Sequence, residues 1–225
     1  MAERSHRLRA VALAATCALT FAACSSDDAT GTEPTPGSVT ETTAAGGERV
    51  LAGVVREPLP VTDDTVLPSL SSPGEDAEFR AAPGELRAVY FGYTNCPDVC
   101  PTTMADWSLT LRRLPEELAA NISTVMVTVD PDRDNDILTD YVRSFVADGE
   151  AAGTTDADLL ATAAEPFGVQ YSVTTADDGA IEVSHSGFLY LVDDQGLLRL
   201  SWPFGTSAQE MADDVVQIFD EVSSP

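Results

Sequence analysis

A strand that leads directly into two cysteines and then into a helix restricts the fold of this chain more than any other feature. Residues 87–93 are rich in β-branched and aromatic side chains, which predicts a strand ending at Gly92. Cys96 and Cys100 follow at once, and Pro101 suits the first turn of a helix. The helix is marked by apolar residues on one face, namely Met104, Trp107, Leu111 and Leu114, and Pro115 ends it.

A second strand follows this helix, because residues 122–130 are mostly Val, Met, Ile and Thr, as in a central strand buried on both faces. Strand, helix and strand together form a βαβ unit. Apolar spacing predicts another helix over residues 137–145, and residues 188–192 and 197–202 predict a hairpin around Gln195-Gly196. A final helix is predicted near residues 207–222.

This order of elements is the thioredoxin arrangement, which is an α/β fold with a central mixed sheet flanked by helices. Residues 50–83 precede it and contain Val54, Val55 and several prolines. We expect them to add an N-terminal hairpin or edge strands.

The two cysteines lie where the first predicted strand meets a helix N-terminus, and this position stabilises a thiolate. Cys96 and Cys100 are close enough for their sulfurs to bond to each other or to share one metal ion. A permanent disulfide is one interpretation, but closing so short a loop constrains the unfolded chain little. The other two interpretations are a redox-active cysteine pair and a metal site.

The N-terminus has the pattern of an export signal over residues 1–23. Arg4, Arg7 and Arg9 precede an apolar run, residues 10–23, that is too short to span a bilayer comfortably. The run ends at Phe21-Ala22-Ala23-Cys24, which resembles the bacterial lipobox apart from Phe21 in place of the usual Leu. We therefore predict that Cys24 is lipidated; the alternative is cleavage near Ala23 without a lipid.

Three segments follow from this pattern: a signal peptide (1–23), a lipidated Cys24 with a disordered tether (24–48), and a folded domain (49–225). The tether is predicted because its Thr, Ser, Gly, Pro and acidic residues offer almost nothing to bury. The expected location is extracytoplasmic, with the lipid in the outer face of the cell membrane. A secreted or periplasmic soluble protein is the alternative.

The chain is strongly acidic, with 37 Asp and Glu against 12 Lys and Arg and a formal net charge of −25. Such a charge makes nucleic acids and anionic lipid surfaces poor partners. It favours metal cations and basic proteins, although solubility alone is a sufficient explanation.

Few residues can bind a soft metal. The sequence contains four cysteines and two histidines, and after removal of the signal peptide only Cys24, Cys96, Cys100 and His185 remain. The acidic run from Asp130 to Asp136 does not form an EF-hand, because Asn135 and Tyr141 occupy the positions that need Gly and Glu. We expect that run to be a solvated turn.

Three segments resemble, in the same order, the sequence blocks of the SCO/SenC family of cytochrome oxidase copper-assembly proteins. The first is Tyr-Phe-Gly-Tyr-Thr-Asn-Cys-Pro-Asp-Val-Cys-Pro at residues 90–101. The second is Thr-Val-Asp-Pro-Asp-Arg-Asp at 128–134, and the third is Val-Ser-His-Ser-Gly-Phe-Leu-Tyr-Leu-Val-Asp at 183–193. The resemblance extends over residues 50–222.

The resemblance implies a site for one copper ion, Cu(I) or Cu(II), made by Cys96, Cys100 and His185. It also implies delivery of that copper to the CuA centre of cytochrome c oxidase. Two thiolates and one imidazole suit Cu(I), whereas zinc usually takes a fourth ligand. Expected partners are the oxidase subunit that carries CuA, and another copper chaperone or a thiol reductant.

Asp130 falls on the aspartate of the second block. It is a candidate supporting residue, either orienting His185 or contacting a partner, or else it caps the following turn.

A second function remains open, namely a thiol-disulfide oxidoreductase that reduces the copper-site cysteines of the oxidase. Cys96 would then attack and Cys100 would resolve the mixed disulfide, with no need for His185. A peroxidase is disfavoured because no dedicated third catalytic group accompanies Cys96.

Overall fold

The computed structural model describes residues 50–62 and 64–223. The predicted signal peptide, the lipidation of Cys24 and the tether lie outside the described residues. In the described part of the chain, no helix is both long enough and apolar enough to cross a membrane.

The described residues form nine strands and six helices. The strands are β1 (Leu67–Pro68), β2 (Asp76–Ala77), β3 (Leu86–Gly92), β4 (Ile122–Thr128), β5 (Glu150–Ala152), β6 (Tyr171–Thr175), β7 (Ile181–His185), β8 (Phe188–Asp193) and β9 (Leu198–Pro203). The helices are α1 (Val99–Arg113), α2 (Glu116–Ala119), α3 (Pro131–Asp134), α4 (Leu138–Arg143), α5 (Ala157–Ala164) and α6 (Ala208–Ser223).

The central sheet has five strands in the order β5-β4-β3-β8-β9, with β3 in the middle. β3 pairs with β4 in parallel and with β8 in antiparallel, so the sheet is mixed. Every residue of β3 is buried, as expected for a strand covered by other layers on both faces. The thioredoxin-like α/β fold predicted from the order of elements is confirmed.

Large aromatic side chains fill the layers on either side of the sheet. α1 lies against α6, and Trp107 of α1 packs against Trp202 of β9 with ring centroids 6.0 Å apart. The Trp107 indole Nε1 donates a hydrogen bond to Thr124 Oγ1 at 2.9 Å, which satisfies the one polar atom of this buried ring. A second cluster contains Phe91 and Phe167, with centroids 5.2 Å apart.

Most predicted elements are present with small shifts at their ends. α1 begins at Val99 instead of Pro101, so Cys100 is already in its first turn, and β4 ends at Thr128, before Asp130. The β8–β9 hairpin is confirmed, and Gly196 in its turn has a positive φ of 73°.

The predicted N-terminal addition is a short hairpin together with edge contacts. β1 pairs with β2, and isolated bridges join Val54 to Ser201 and Val61 to Leu197 along the β9 edge. Ser69 forms a further bridge to Ala152 on the opposite edge strand. The N-terminal segment therefore covers part of both sheet edges.

Our sequence analysis missed the hairpin of β6 and β7. Its alternating side chains are mainly polar and exposed, so it lacks the apolar run of a core strand. The available signal was Asp178-Gly179, a dipeptide typical of tight hairpin turns.

Asp214 of α6 attaches the start of the domain to the sheet. Its buried carboxylate accepts hydrogen bonds from the amides of Ala52 (3.1 Å) and Gly53 (2.8 Å) and from the Trp202 indole Nε1 (2.8 Å). Three donors from two separate segments of the chain therefore depend on one side chain. A buried donor without an acceptor costs free energy because it has lost its water.

We expect Asp214→Ala to lower the free energy of unfolding by about 2 to 4 kcal/mol, because it leaves these buried donors without an acceptor. Urea denaturation followed by circular dichroism measures the change. Asp213→Ala is the matched control, since Asp213 is only partly buried and accepts only from Gln209, with an expected change within about 0.5 kcal/mol. Equal loss of stability in the two variants would contradict this role of Asp214.

Candidate metal centre

The two cysteines face each other across the N-terminus of α1. Cys96 belongs to the loop after β3, and Cys100 is the second residue of the helix. The Cys100 amide donates to Cys96 Sγ at 3.3 Å, whereas the Asp98 side chain at the N-cap position accepts no capping bond. The Cys96 sulfur thus takes a helix-terminal N–H that a capping side chain would otherwise bind. Both cysteines are free thiols.

His185, the last residue of β7, completes the cluster. Its Nε2 lies 3.3 Å from Cys100 Sγ, and its Nδ1 lies 3.0 Å from the carbonyl oxygen of Ser186. A carbonyl oxygen can only accept, so Nδ1 carries the proton in this bond. The lone pair of Nε2 then faces the sulfur, which is the tautomer that a metal ligand requires.

The sulfurs of Cys96 and Cys100 and a ring nitrogen of His185 all lie within 4.8 Å of one another. Residues 50–62 and 64–223 contain no other group of three or more potential metal ligands this close together. The Tyr93 ring stands edge-on to His185, with centroids 5.7 Å apart, and restricts the imidazole orientation. Two sulfurs and one nitrogen form a soft donor set, which fits Cu(I).

The cluster is buried on one side and open on the other. Cys100 is fully buried, whereas Cys96 and His185 are half-buried. A pocket of about 430 Å³ gives access to the open side. Its lining includes Tyr93, Cys96, Pro97, Val183, His185 and Phe204.

Gly92, at the end of β3, allows the Cys100 sulfur to lie against the sheet. A Cβ at this position would be 3.1 Å from Cys100 Sγ and 2.8 Å from Cε1 of Tyr90. Since the sulfur and the ring already occupy this space, a larger residue would displace one of them.

The thiols of the two cysteines differ in acidity. Burial raises the pKa of Cys100 to about 12. Burial also acts to raise the pKa of Cys96. Hydrogen bonds from the amides of Cys100 and Asp98, from the Cys100 thiol and from the Tyr93 side chain together outweigh this effect, so the pKa of Cys96 lies below its ordinary value. Burial lowers the pKa of His185, which favours the neutral imidazole.

A family model described as SCO1/SenC matches residues 70–220. The chain belongs to the SCO1/SenC family. The resemblance noted in the three sequence blocks is thereby confirmed.

One relative, from Stutzerimonas stutzeri and described as copper-binding, is 33% identical over 116 residues. The match covers 52% of this chain and 57% of the relative, so the chain spans little more than half of that protein's length. Bradyrhizobium japonicum ScoI, solved with copper bound, is 25% identical with a TM-score of 0.57, covering 68% of this chain and 96% of that one.

The fold is also that of apo Sco1 from Thermus thermophilus, with a TM-score of 0.62 at 24% identity. That match covers 79% of this chain and 99% of the Thermus chain. It supports the thioredoxin-like architecture on which this SCO1/SenC site is built.

Asp130, the aspartate of the second sequence block, is buried beside the site loop. Its carboxylate pairs with Arg133, while the contact on Nδ1 of His185 is the Ser186 carbonyl. A role for Asp130 in supporting the site remains a prediction.

Asp134 is the residue of the second block that our sequence analysis missed. It is fully buried and accepts hydrogen bonds from the Thr94 amide (3.0 Å) and the Thr128 hydroxyl (2.7 Å). It therefore holds the loop before Cys96 against the end of β4. The expectation of a solvated turn was wrong for Asp130 and Asp134, because only the fold shows which carboxylates of this run point inward.

We expect iodoacetamide to modify Cys96 well before Cys100 in the reduced protein. Labelling of Cys96 should rise at a lower pH than labelling of an ordinary cysteine thiol, because hydrogen bonds to the sulfur lower the pKa of Cys96. Cys100 should stay unlabelled over the whole series, since its pKa is raised to about 12 and its side chain is buried. Timed labelling across a pH series, read by peptide mass spectrometry, measures both rates.

The urea-unfolded chain is the control for this labelling, because both cysteines should then react alike. Labelling of Cys100 first, or of both at equal rates in the folded protein, would show that the acidity order is wrong.

Proposed function

We propose that this protein is an extracytoplasmic metallochaperone that binds one copper ion through Cys96, Cys100 and His185. The copper is cargo, destined for the CuA centre of cytochrome c oxidase. The observation that carries this proposal is the convergence of two thiols and one imidazole within 4.8 Å at the open end of the sheet.

The chemistry of the three donors supports copper as the metal. Thiolate and imidazole are ligands of Cu(I), and with Cu(II) the same set resembles a thiolate-rich oxidised site. Binding requires deprotonated thiols, so the metal must displace the proton of Cys100 and will bind more tightly as the pH rises. The copper-binding relative and the copper-bound ScoI structure support the same assignment.

The shape of the site supports transfer. Half-buried Cys96 and His185 leave one side of the metal accessible through the pocket, and Cys100 fixes the other side in the core. An acceptor could therefore bring its own ligands to the metal before Cys96 and His185 release it. A fully enclosed site would hold the ion instead of passing it on.

The remaining parts of the proposal rest on the sequence. Export by residues 1–23, a lipid on Cys24 and a tether over 24–48 would hold the folded domain, 49–225, at the outer face of the membrane. The oxidase subunit that carries CuA would be the acceptor. Another copper chaperone or a thiol reductant would load or reduce the site.

We expect the reduced domain to bind one equivalent of Cu(I), and both His185→Ala and Cys100→Ser to weaken the binding by about 100-fold or more, since each removes one of three donors. Competition with a chromophoric Cu(I) chelator measures the affinities. Ser184→Ala is the matched control, because its hydroxyl bonds to Ser172 on the outer face of the hairpin. Equal affinities in all four proteins would show that the ligand set is wrong.

The unequal cysteines favour one alternative, a thiol-disulfide oxidoreductase acting on the oxidase. The accessible Cys96 thiolate would attack a target disulfide, form a mixed disulfide and release one target thiol. Cys100 would then attack Cys96, release the second target thiol and leave a Cys96–Cys100 disulfide. Two electrons pass to the target, and an external thiol reductant must restore the pair.

We expect His185→Ala to separate the two functions. If the protein is a metallochaperone, the variant loses copper transfer to a copper-free CuA domain, whereas its reduction of the oxidised CuA domain, measured by thiol trapping, is retained. Cys96→Ser should lose both activities. A His185→Ala variant that still restored the full CuA spectrum in the presence of copper would favour the oxidoreductase.

A further inference from the structure

The hairpin of β6 and β7 has two chemically different faces. Residues paired across the hairpin share a face, and so do alternate residues along each strand. One face carries the pairs Tyr171↔His185, Val173↔Val183 and Thr175↔Ile181. The opposite face carries the pairs Ser172↔Ser184 and Thr174↔Glu182. The first face, which we name the hairpin face, is largely apolar and ends at the proposed copper ligand.

The part of the hairpin face near the turn is exposed. Val173 and Ile181 keep 43% and 39% of their surface accessible, and Phe204, beside the pocket, keeps 46%. An isolated two-stranded hairpin gains little stability of its own in water, so exposed apolar residues on it need another explanation.

The hairpin face is continuous with the entrance to the metal centre. Val183 and His185 line the pocket together with Phe204 and Val99. Because Cys100 is buried, an acceptor ligand must approach from the side of Cys96 and His185. Any protein that takes the metal by ligand exchange therefore covers this face.

Acidic residues lie at both ends of the apolar surface and on the back of the hairpin. Asp177 and Asp178 lie exposed at the hairpin turn, Glu182 on its opposite face and Asp98 at the pocket rim. The whole chain has a formal net charge of −25, which disfavours a second copy of itself and an anionic lipid surface as occupants. A protein patch with an apolar centre and basic surroundings complements this surface.

We propose that the hairpin face, with Phe204, is the docking surface for the copper-receiving protein domain. This inference rests on the proposed function and names the surface that serves it. The domain places an apolar patch, rimmed by Lys and Arg, against Val173, Ile181 and Phe204. In this position its ligands reach the pocket, and its apolar patch excludes water from the metal during exchange.

The test uses the copper-loaded protein and, as probe, the copper-free CuA domain of the oxidase from the same organism. Val173→Thr with Ile181→Thr replaces apolar groups by hydroxyls while keeping β-branched residues suited to a strand. Phe204→Ser is a second variant outside the hairpin. Thr174→Val is the matched control, the reverse exchange on the opposite face.

We expect the double variant and Phe204→Ser each to lower the rate of copper transfer and the affinity for the probe by at least about tenfold. The Cu(I) affinity of the double variant, whose two residues do not line the pocket, should stay within about twofold of wild type by chelator competition. Thr174→Val should match wild type throughout. Raising the salt concentration should weaken binding of the wild type, because the surrounding contacts are ionic.

Several results would overturn the docking surface. One such result is copper transfer by both variants at the wild-type rate. Another is a loss of transfer rate in Thr174→Val that equals the loss in the double variant. Sedimentation showing a wild-type dimer that the double variant abolishes would assign the face to a second copy. Binding to phosphatidylglycerol vesicles that only the wild type shows would assign it to lipid. By contrast, a wild-type protein that binds no copper refutes the proposed function itself.

Discussion

The antiparallel pairing of β3 with β8 is the interaction on which the metal centre depends. Tyr90 of β3 lies opposite Leu189 of β8, and the same register continued by two residues sets Gly92 opposite Gly187. The cysteine loop leaves one strand where the histidine segment enters the other. Cys100 and His185, 85 residues apart in the chain, are therefore brought to 3.3 Å by backbone hydrogen bonds several residues away. A shift of one residue in this register would turn the side chains of β8 to the opposite face of the sheet.

Two buried carboxylates position segments of the chain that lie outside the central sheet. Asp134 ties the loop before Cys96 to β4, and Asp214 ties the N-terminal segment to α6 and β9. Each satisfies backbone amides whose own segments are too irregular to pair in a ladder. These two buried carboxylates stabilise the fold by accepting hydrogen bonds. The exposed carboxylates contribute instead to the negative electrostatic potential of the surface.

The metal centre joins a rigid side to an accessible side. Cys100 is packed into the core beside Tyr90, so its sulfur moves little. Cys96 and His185 belong to a loop and to a projecting hairpin, where an approaching protein can contact them. The difference in acidity between the two thiols has the same origin, because the buried sulfur loses water while the outer one gains amide hydrogen bonds. In the proposed transfer of copper, this one asymmetry would serve both retention and release of the metal.

The sequence by itself determined the fold class, the β3–α1 junction and the identity of the candidate ligands. Buried strands have continuous apolar patterns, α1 has a clear apolar face, and only one histidine follows the predicted signal peptide. Only the tertiary structure decided that Asp134 is buried, that Gly92 makes room for a sulfur and that His185 ends an exposed hairpin. These features depend on what surrounds a residue in space. A local pattern cannot show which of several aspartates points inward, or which apolar side chains of a mainly polar hairpin lie beside the cysteines.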